Sequence, residues 1–313
     1  MIAGKMAETL TALDPSMKYA IASRDIEKAR AFAAKWGFEK AYGSYKELVD
    51  DPQVGLVYLA TPHSHHFEHA SLCIEAGKPV LCEKAFTANA RQAGALLELS
   101  HKKGVFITEA IWTRFMPLSL KIMELVRSVA IGEPRLLDAS LCYKIDDKER
   151  ILRPDLCGGA LLDVGVYCIH FARMCFGDDI VSQSSSCIKN AAGVDMQNSF
   201  SWSYSDGRMA NMQSSALCRC SRIAQVTGTG GYLLVDNVNC PQKVTVYKDY
   251  KPVAIFDKPS DQINGYEYEV LASIEAIRAG KLETPFISHQ ETLEVMKIMD
   301  SLRREWGVRY PMD

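Results

Sequence analysis

Gly55-Leu-Val-Tyr-Leu-Ala-Thr-Pro-His63 and Gly77-Lys-Pro-Val-Leu-Cys-Glu-Lys84 are the stretches that decide how this chain folds. In each, a short apolar run without polar alternation breaks off on polar residues. That is the pattern of a strand covered on both faces whose last residues open onto a loop. Between them, residues 64–75 have helical spacing and stop at Gly77. Working backwards, 18–22 is a further apolar strand and 3–13 reads as helix. Asp25 is placed to cap a helix through Ala34, with Ile26, Ala29 and Phe32 on one face, and Ser44 to cap another. Working forwards, 89–103 reads as helix and 104–108 as strand. This alternation predicts a parallel sheet with helices on both faces.

From about Pro117 the character changes. A helix over 118–129 precedes a strand-like stretch over 135–143, a charged loop, and a helix over 158–175. Period-2 segments follow at 199–204, 209–215, 223–227, 232–235, 243–247 and 252–256. Asp206-Gly207 marks a hairpin between the first two. Amphipathic helices at 266–279 and 289–305 close the chain. The expected architecture is α/β: a parallel-sheet domain over 1–117, then an α+β domain over 118–313 with a mostly antiparallel open sheet, its last helix able to pack back on the first domain. A length of 313 residues agrees with two domains, since single cores stop growing at roughly 250–300 residues.

Composition removes several function classes. Lys+Arg 36 against Asp+Glu 38 gives a net charge of −2 with no basic run, which offers nothing to nucleic acid or an anionic membrane. No apolar stretch is expected to reach about 18 residues, and Lys5 and Glu8 interrupt the start where a signal peptide needs an apolar core. The ten cysteines are scattered without a C-x-x-C pair, which suits a reduced, cytoplasmic protein, and Cys218-x-Cys220 reads as packing. His65 and His69 share a helix face beside His63 and His66, but no ligand set is complete, so no metal is expected. His63 is expected to cover a cofactor, and the other three to sit on the helix surface or between domains.

Parallel sheets bind ligands at the carboxyl ends of their strands. Four spots lie there: Ser23-Arg24, Thr61-Pro62-His63, Glu83-Lys84 and Glu109 to Trp112. A hydroxyl and a guanidinium after the second strand of a dinucleotide fold suit the 2′-phosphate of NADP. The competing reading is a solvated Arg24 beside a helix cap. In the second domain, Gly158-Gly-Ala-Leu-Leu-Asp-Val-Gly-Val-Tyr167 puts the Asp163 carboxylate and the Tyr167 phenol on one helix face. A phenol, with a pKa of about 10, needs a cation nearby to work at neutral pH, and Lys84 is the candidate. The competing reading is a buried tyrosine bonded to a capping aspartate. Arg150 and Arg153, in the loop over 144–154, are expected to face the pocket.

Together these residues resemble the Gfo/Idh/MocA oxidoreductase family, and within it the branch of dimeric dihydrodiol dehydrogenases and NADP-dependent D-xylose dehydrogenases. The resemblance is carried by Ala60-Thr-Pro-His63, Gly77 to Lys84, Glu109-Ala-Ile-Trp-Thr-Arg-Phe115, Gly158 to Tyr167 and Gly307-Val-Arg-Tyr-Pro311. It implies a Rossmann-type dinucleotide-binding domain, oxidation of a sugar or diol carbinol with NADP (NAD being the alternative), and a homodimer through the open sheet face. By position it implies catalytic roles for Lys84, Asp163 and Tyr167, with Ser23, Arg24, Thr61, His63, Glu83, Lys84, Trp112 and Arg114 along the cofactor. The rival reading is a nucleotide- or sugar-binding regulator, or an inactive truncated member.

Two departures from the family pattern carry expectations of their own. Alanine stands at position 85 where the family has proline after Glu-Lys, so either the turn is rebuilt trans with Lys84 shifted, or a cis bond is kept. The apolar first strand and its glycine-rich loop are not found before Ile2-Ala3. Without that strand, 18–22 is expected to lie apart from 55–60, with no glycine cradle for the pyrophosphate.

Overall fold

The structure, a computed structural model, describes residues 2–313. Helix α1 (Ile2–Leu13) leads to strand β1 (Ala20–Ala22). The Asp25 side chain accepts the N–H groups of Glu27 and Lys28 and so starts α2 (Ile26–Trp36), which Gly37 closes at φ 74°. Strand β2 (Lys40–Tyr42), too short to stand out in the sequence, runs parallel to β1. Ser44 caps α3 (Tyr45–Asp50). Then come β3 (Val57–Leu59), α4 (His63–Glu75), β4 (Val80–Glu83), α5 (Ala90–Lys103) with its Asn89 cap, and β5 (Ile107–Ala110).

The parallel strands fall into two sheets, β1-β2 and β3-β4-β5. Tyr19 and Ser23 bond to β2, and Val57 bonds to the residue before β4. Because a parallel ladder uses alternate residues on each side, Ala20, Ala22 and Tyr58 turn their peptide groups away from those partners. Strands β1 and β3 share no ladder, as the separation of 18–22 from 55–60 required. Helix α1 packs Met6 against Leu81, Ala110 and Val270.

The second half opens with α6 (Pro117–Arg127), β6 (Pro134–Cys142) and the single turn α7 (Glu149–Leu152). A π-wound turn, Leu161–Gly165, runs into α8 (Val166–Phe176), so the helix expected over 158–175 begins with wider winding. Strands β7 (Ile180–Lys189), β8 (Asp195–Tyr204), β9 (Met209–Ser215), β10 (Ala224–Gly228), β11 (Gly231–Val235), β12 (Lys243–Lys248) and β13 (Lys251–Asp257) follow, then α9 (Glu267–Arg278) and α10 (His289–Trp306). The eight-stranded sheet is ordered β13-β12-β11-β10-β6-β9-β8-β7, antiparallel except for β6 against β9. Strand β7 carries a serine-rich run without apolar alternation, and pairing with β8 is what makes it a strand.

One face of this sheet packs Trp202, Phe200 and Met212 against α8, whose residues are all buried. The stretch Pro154–Phe176 is long and apolar enough to cross a membrane by composition, against the expectation above, but it lies wholly inside the protein. Apolar packing runs unbroken from Ile74 and Leu96 in the first half through Phe115 to Phe171 in the second. Helix α10 ties the halves together: His289 Nε2 meets Ile107 O at 2.9 Å, and Asp300 accepts the Ala90 N–H at 2.8 Å. The two halves therefore meet along a packed, hydrogen-bonded seam.

Candidate active site

The end of β4 points into that seam. Neighbouring residues of a strand face opposite ways, so Glu83 and Lys84 separate. The Lys84–Ala85 peptide is cis, the second of the two alternatives that Ala85 left open. Lys84 Nζ donates to Asp163 O at 2.7 Å and Oδ1 at 3.3 Å, and lies 5.2 Å from the centre of the Tyr167 ring. Arg150, on α7, holds the same carboxylate through two N–H groups at 2.6 and 3.2 Å. Trp112 Nε1 donates to the Tyr167 hydroxyl at 3.1 Å, and the indole stacks on Tyr266 with centres 4.2 Å apart.

The turn that carries Asp163 is held from behind. Asp195 accepts the Leu161 N–H at 2.7 Å. Gly159 sits at φ 123°, and a Cβ there would strike the Asp195 carboxylate. Burial alone would raise the Asp163 carboxyl, but Lys84 and Arg150 overcome it and hold the group well below the usual carboxylate range. Burial, with Tyr266, Glu83 and Asp163 nearby, pushes the Tyr167 phenol well up against the opposing Trp112 hydrogen bond. Lys84 donates two of its three N–H groups to Asp163 and lies beside the Tyr167 ring, without a hydrogen bond to the phenol oxygen.

Other expectations are corrected by geometry. The two ring nitrogens of His63 face Cys157 O at 3.2 Å and Lys84 O at 3.1 Å, so it pins the Lys84 backbone to the second domain. Burial drives its pKa down to about 3. His66 is fully buried between Thr61 O and Ala85 O, away from the helix surface. Thr61 spends its hydroxyl on His69 Nδ1 at 3.1 Å. Glu83 accepts the Tyr58 hydroxyl and is buried, with a pKa pushed up to about 6 by that burial.

Arg114 is held by partners from the second domain. It bonds Glu291 and, through Nε, His170 Nδ1 at 2.9 Å, because Arg173 and Glu291 form a buried charge cluster behind α8. Glu109 is buried beside Thr292 and His170. Arg153 turns to Glu149 and Asp155, whereas Arg150 reaches the pocket. Tyr266 was not singled out in the sequence. Its signal is Gly265 at φ 105°, where a side chain would collide with Met116 and Trp112 and prevent the stack.

The remaining residues fit a dinucleotide. Ser23 Oγ accepts the Asp25 N–H, and Arg24 stands exposed near His69, with no side-chain partner among the described residues. The first turn of α1 carries no acidic side chain to repel a phosphate. Lys84 and Tyr167 would hold the nicotinamide end, where the bound ring supplies a hydride acceptor or donor. Among the described residues no group of three His, Cys, Asp or Glu side chains is arranged for a metal ion.

A parallel-sheet domain with an arginine at a strand end, joined at a seam of ammonium, carboxylate and phenol to an antiparallel-sheet domain, defines a nicotinamide-dependent oxidoreductase. The sequence pattern described as "Oxidoreductase family, NAD-binding Rossmann fold" matches residues 4–110, and the GFO/IDH/MocA C-terminal domain matches 119–234. The chain belongs to the GFO/IDH/MocA family. It is 34% identical to a trans-1,2-dihydrobenzene-1,2-diol dehydrogenase of Xenopus tropicalis over 97% of this chain and 93% of the relative, and 32% identical to that of Mus musculus over 100% and 96%. The fold matches an aldose-aldose oxidoreductase from Caulobacter crescentus complexed with glycerol (TM-score 0.83, 22% identity, 92% and 89% covered). It also matches a levoglucosan dehydrogenase in complex with NADH and levoglucosan (TM-score 0.84, 18% identity, 98% and 96% covered).

Proposed function

We propose that this chain exchanges hydride between a secondary carbinol of a sugar or cyclic diol and NADP, with Tyr167 carrying the hydroxyl proton. The observation that carries the reading is the meeting of Lys84, Asp163 and Tyr167 at one seam. An ammonium has three donors, and Lys84 spends two on Asp163, leaving the third for a carbinol oxygen. Indole N–H is donor-only, so the Tyr167 oxygen accepts from Trp112 and directs its own O–H at the substrate. The dihydrodiol dehydrogenase relatives and the sugar-enzyme structures favour substrates of that class.

Spectrophotometric assay for NADPH formation on a panel of aldoses and cyclic diols tests the reading; NADPH binding without turnover of any of them overturns it in favour of a regulator. The raised Tyr167 phenol fixes the pH dependence. Its base form is scarce at neutral pH and grows as pH rises, so oxidation is expected to speed up by about a decade per pH unit below that pKa. Reduction, which needs the protonated phenol, stays flat over the same range. An oxidation rate independent of pH between about 6 and 9 contradicts a Tyr167 proton acceptor.

Preference for NADP rests on Arg24. Replacing it (Arg24→Ala) is expected to weaken NADPH binding about tenfold while leaving NADH nearly unchanged, read by fluorescence titration. Equal losses for both cofactors would remove the 2′-phosphate contact from the account.

We also propose a homodimer through the outer face of the eight-stranded sheet. Leu136 and Met209, register partners on β6 and β9, are 43% and 44% exposed there. Sedimentation should find a dimer that Leu136→Asp converts to monomer; a monomeric wild type refutes it. With all ten cysteines free, the cytoplasm is the proposed compartment.

A further inference from the structure

Two hydrogen bonds join the turn that carries the active-site indole to the helix that carries the phenol. The first is the Trp112 N–H on the Tyr167 oxygen at 3.1 Å. The second lies deeper: Arg114 Nε donates to His170 Nδ1 at 2.9 Å. Trp112 and Arg114 belong to one short turn, Trp112–Phe115. Tyr167 and His170 stand three residues apart on α8, a spacing that puts both on one face. Thr113, between the two donors, turns instead to Asn239 O at 2.6 Å.

The second bond fixes the state of the imidazole. A guanidinium has no acceptor, so Nδ1 accepts and the ring proton sits on Nε2. That nitrogen lies 3.7 Å from Glu109 Oε2, in β5. Burial and the neighbouring guanidiniums of Arg114 and Arg173 hold the His170 pKa well below its ordinary value, which keeps the ring neutral and able to accept. Arg114 is aimed by Glu291 on α10, and Arg173, three residues beyond His170, holds that carboxylate at 2.8 and 2.6 Å. His170 itself is fully buried, so it touches no substrate and acts only through what it holds.

We propose that His170 is a positioning residue for the proton transfer: by accepting the Arg114 Nε–H it sets the turn against α8 so that the Trp112 N–H meets the Tyr167 oxygen. The inference rests on the reading of Tyr167 as the proton carrier. The phenol aims its O–H at the carbinol because the indole engages its oxygen from the other side. An indole displaced by about an ångström loses that hold, and misplacements of this size cost up to about 10²-fold in rate. What matters at position 170 is therefore an acceptor where Nδ1 stands. Asparagine supplies one, its Oδ1 lying the same number of bonds from the backbone; glutamine carries its oxygen one bond farther, and leucine has none.

The test reads geometry and rate separately. The protein has four tryptophans, and with 5-fluorotryptophan in their place Trp112→Phe identifies the Trp112 fluorine resonance. In His170→Leu that resonance should shift while those of Trp36, Trp202 and Trp306 stay, and His170→Asn should return it to the wild-type position. For carbinol oxidation His170→Leu is expected to lower kcat about tenfold with substrate KM and NADPH affinity unchanged, and His170→Asn to recover most of the loss. In a Trp112→Phe background His170→Leu should cost nothing further, because the contact it sets is already gone. Where leucine prevents folding, His170→Gln makes the same comparison with a polar group kept. An unmoved Trp112 resonance, or a loss that adds in full to that of Trp112→Phe, overturns the proposal. The resonance needs no turnover, so its outcome is distinct from failure of the dehydrogenase reading.

Discussion

Tyr167→Phe is expected to lower kcat/KM by about 10³-fold while leaving the fold and NADPH affinity intact, the size of effect that losing a positioned proton-transfer group produces. The phenyl ring retains the buried packing of α8 and the cation above its face. Only the oxygen that accepts the Trp112 N–H is lost. The pH dependence should go with it, so that residual oxidation no longer rises toward alkaline pH. Steady-state kinetics across pH, beside a thermal melt, checks both parts. A variant within about tenfold of wild type, still rising with pH, would assign the proton to another group.

The second large effect is at the ammonium. Lys84→Met should cost about 10²–10³-fold in kcat, because it removes a fixed donor from the place where charge develops on the carbinol oxygen. Stability should suffer less. Asp163 keeps its bidentate partner Arg150, so the variant leaves no carboxylate buried without a cation. Lys84→Arg should not rescue, since a planar guanidinium cannot reproduce a compact ammonium between Asp163 and the Tyr167 ring. Near-normal kcat in Lys84→Met, with only KM raised, would reduce Lys84 to a binding group.

Lys84 follows the end of β4, where strand pairing stops and a side chain is free to meet groups from a separate segment, here Asp163. That is also where reading the sequence is hardest. Strand alternation says which face a residue takes, and helical spacing says which stripe, but neither says what meets it. Thus Glu83 and Arg114 read as cofactor contacts from their position after strands, and the structure turns them toward Tyr58 and Glu291. Glu291 is 177 residues from Arg114, a separation no local pattern can express.

The amino-acid order by itself determined the strand–helix alternation of the first half, the caps at Asp25 and Ser44, the antiparallel character of the second half, and the candidacy of Lys84, Asp163 and Tyr167. These rest on local periodicity and backbone hydrogen-bond needs, which act over a few residues. Only the tertiary structure decided that β7 is a strand, that Lys84 bonds Asp163, and that His63 fastens the two domains together. It alone stacked Trp112 on Tyr266 and turned the indole N–H to the Tyr167 hydroxyl. Each of those outcomes depends on groups far apart in the chain competing for the same buried partners, and packing settles that competition only once the whole molecule has closed.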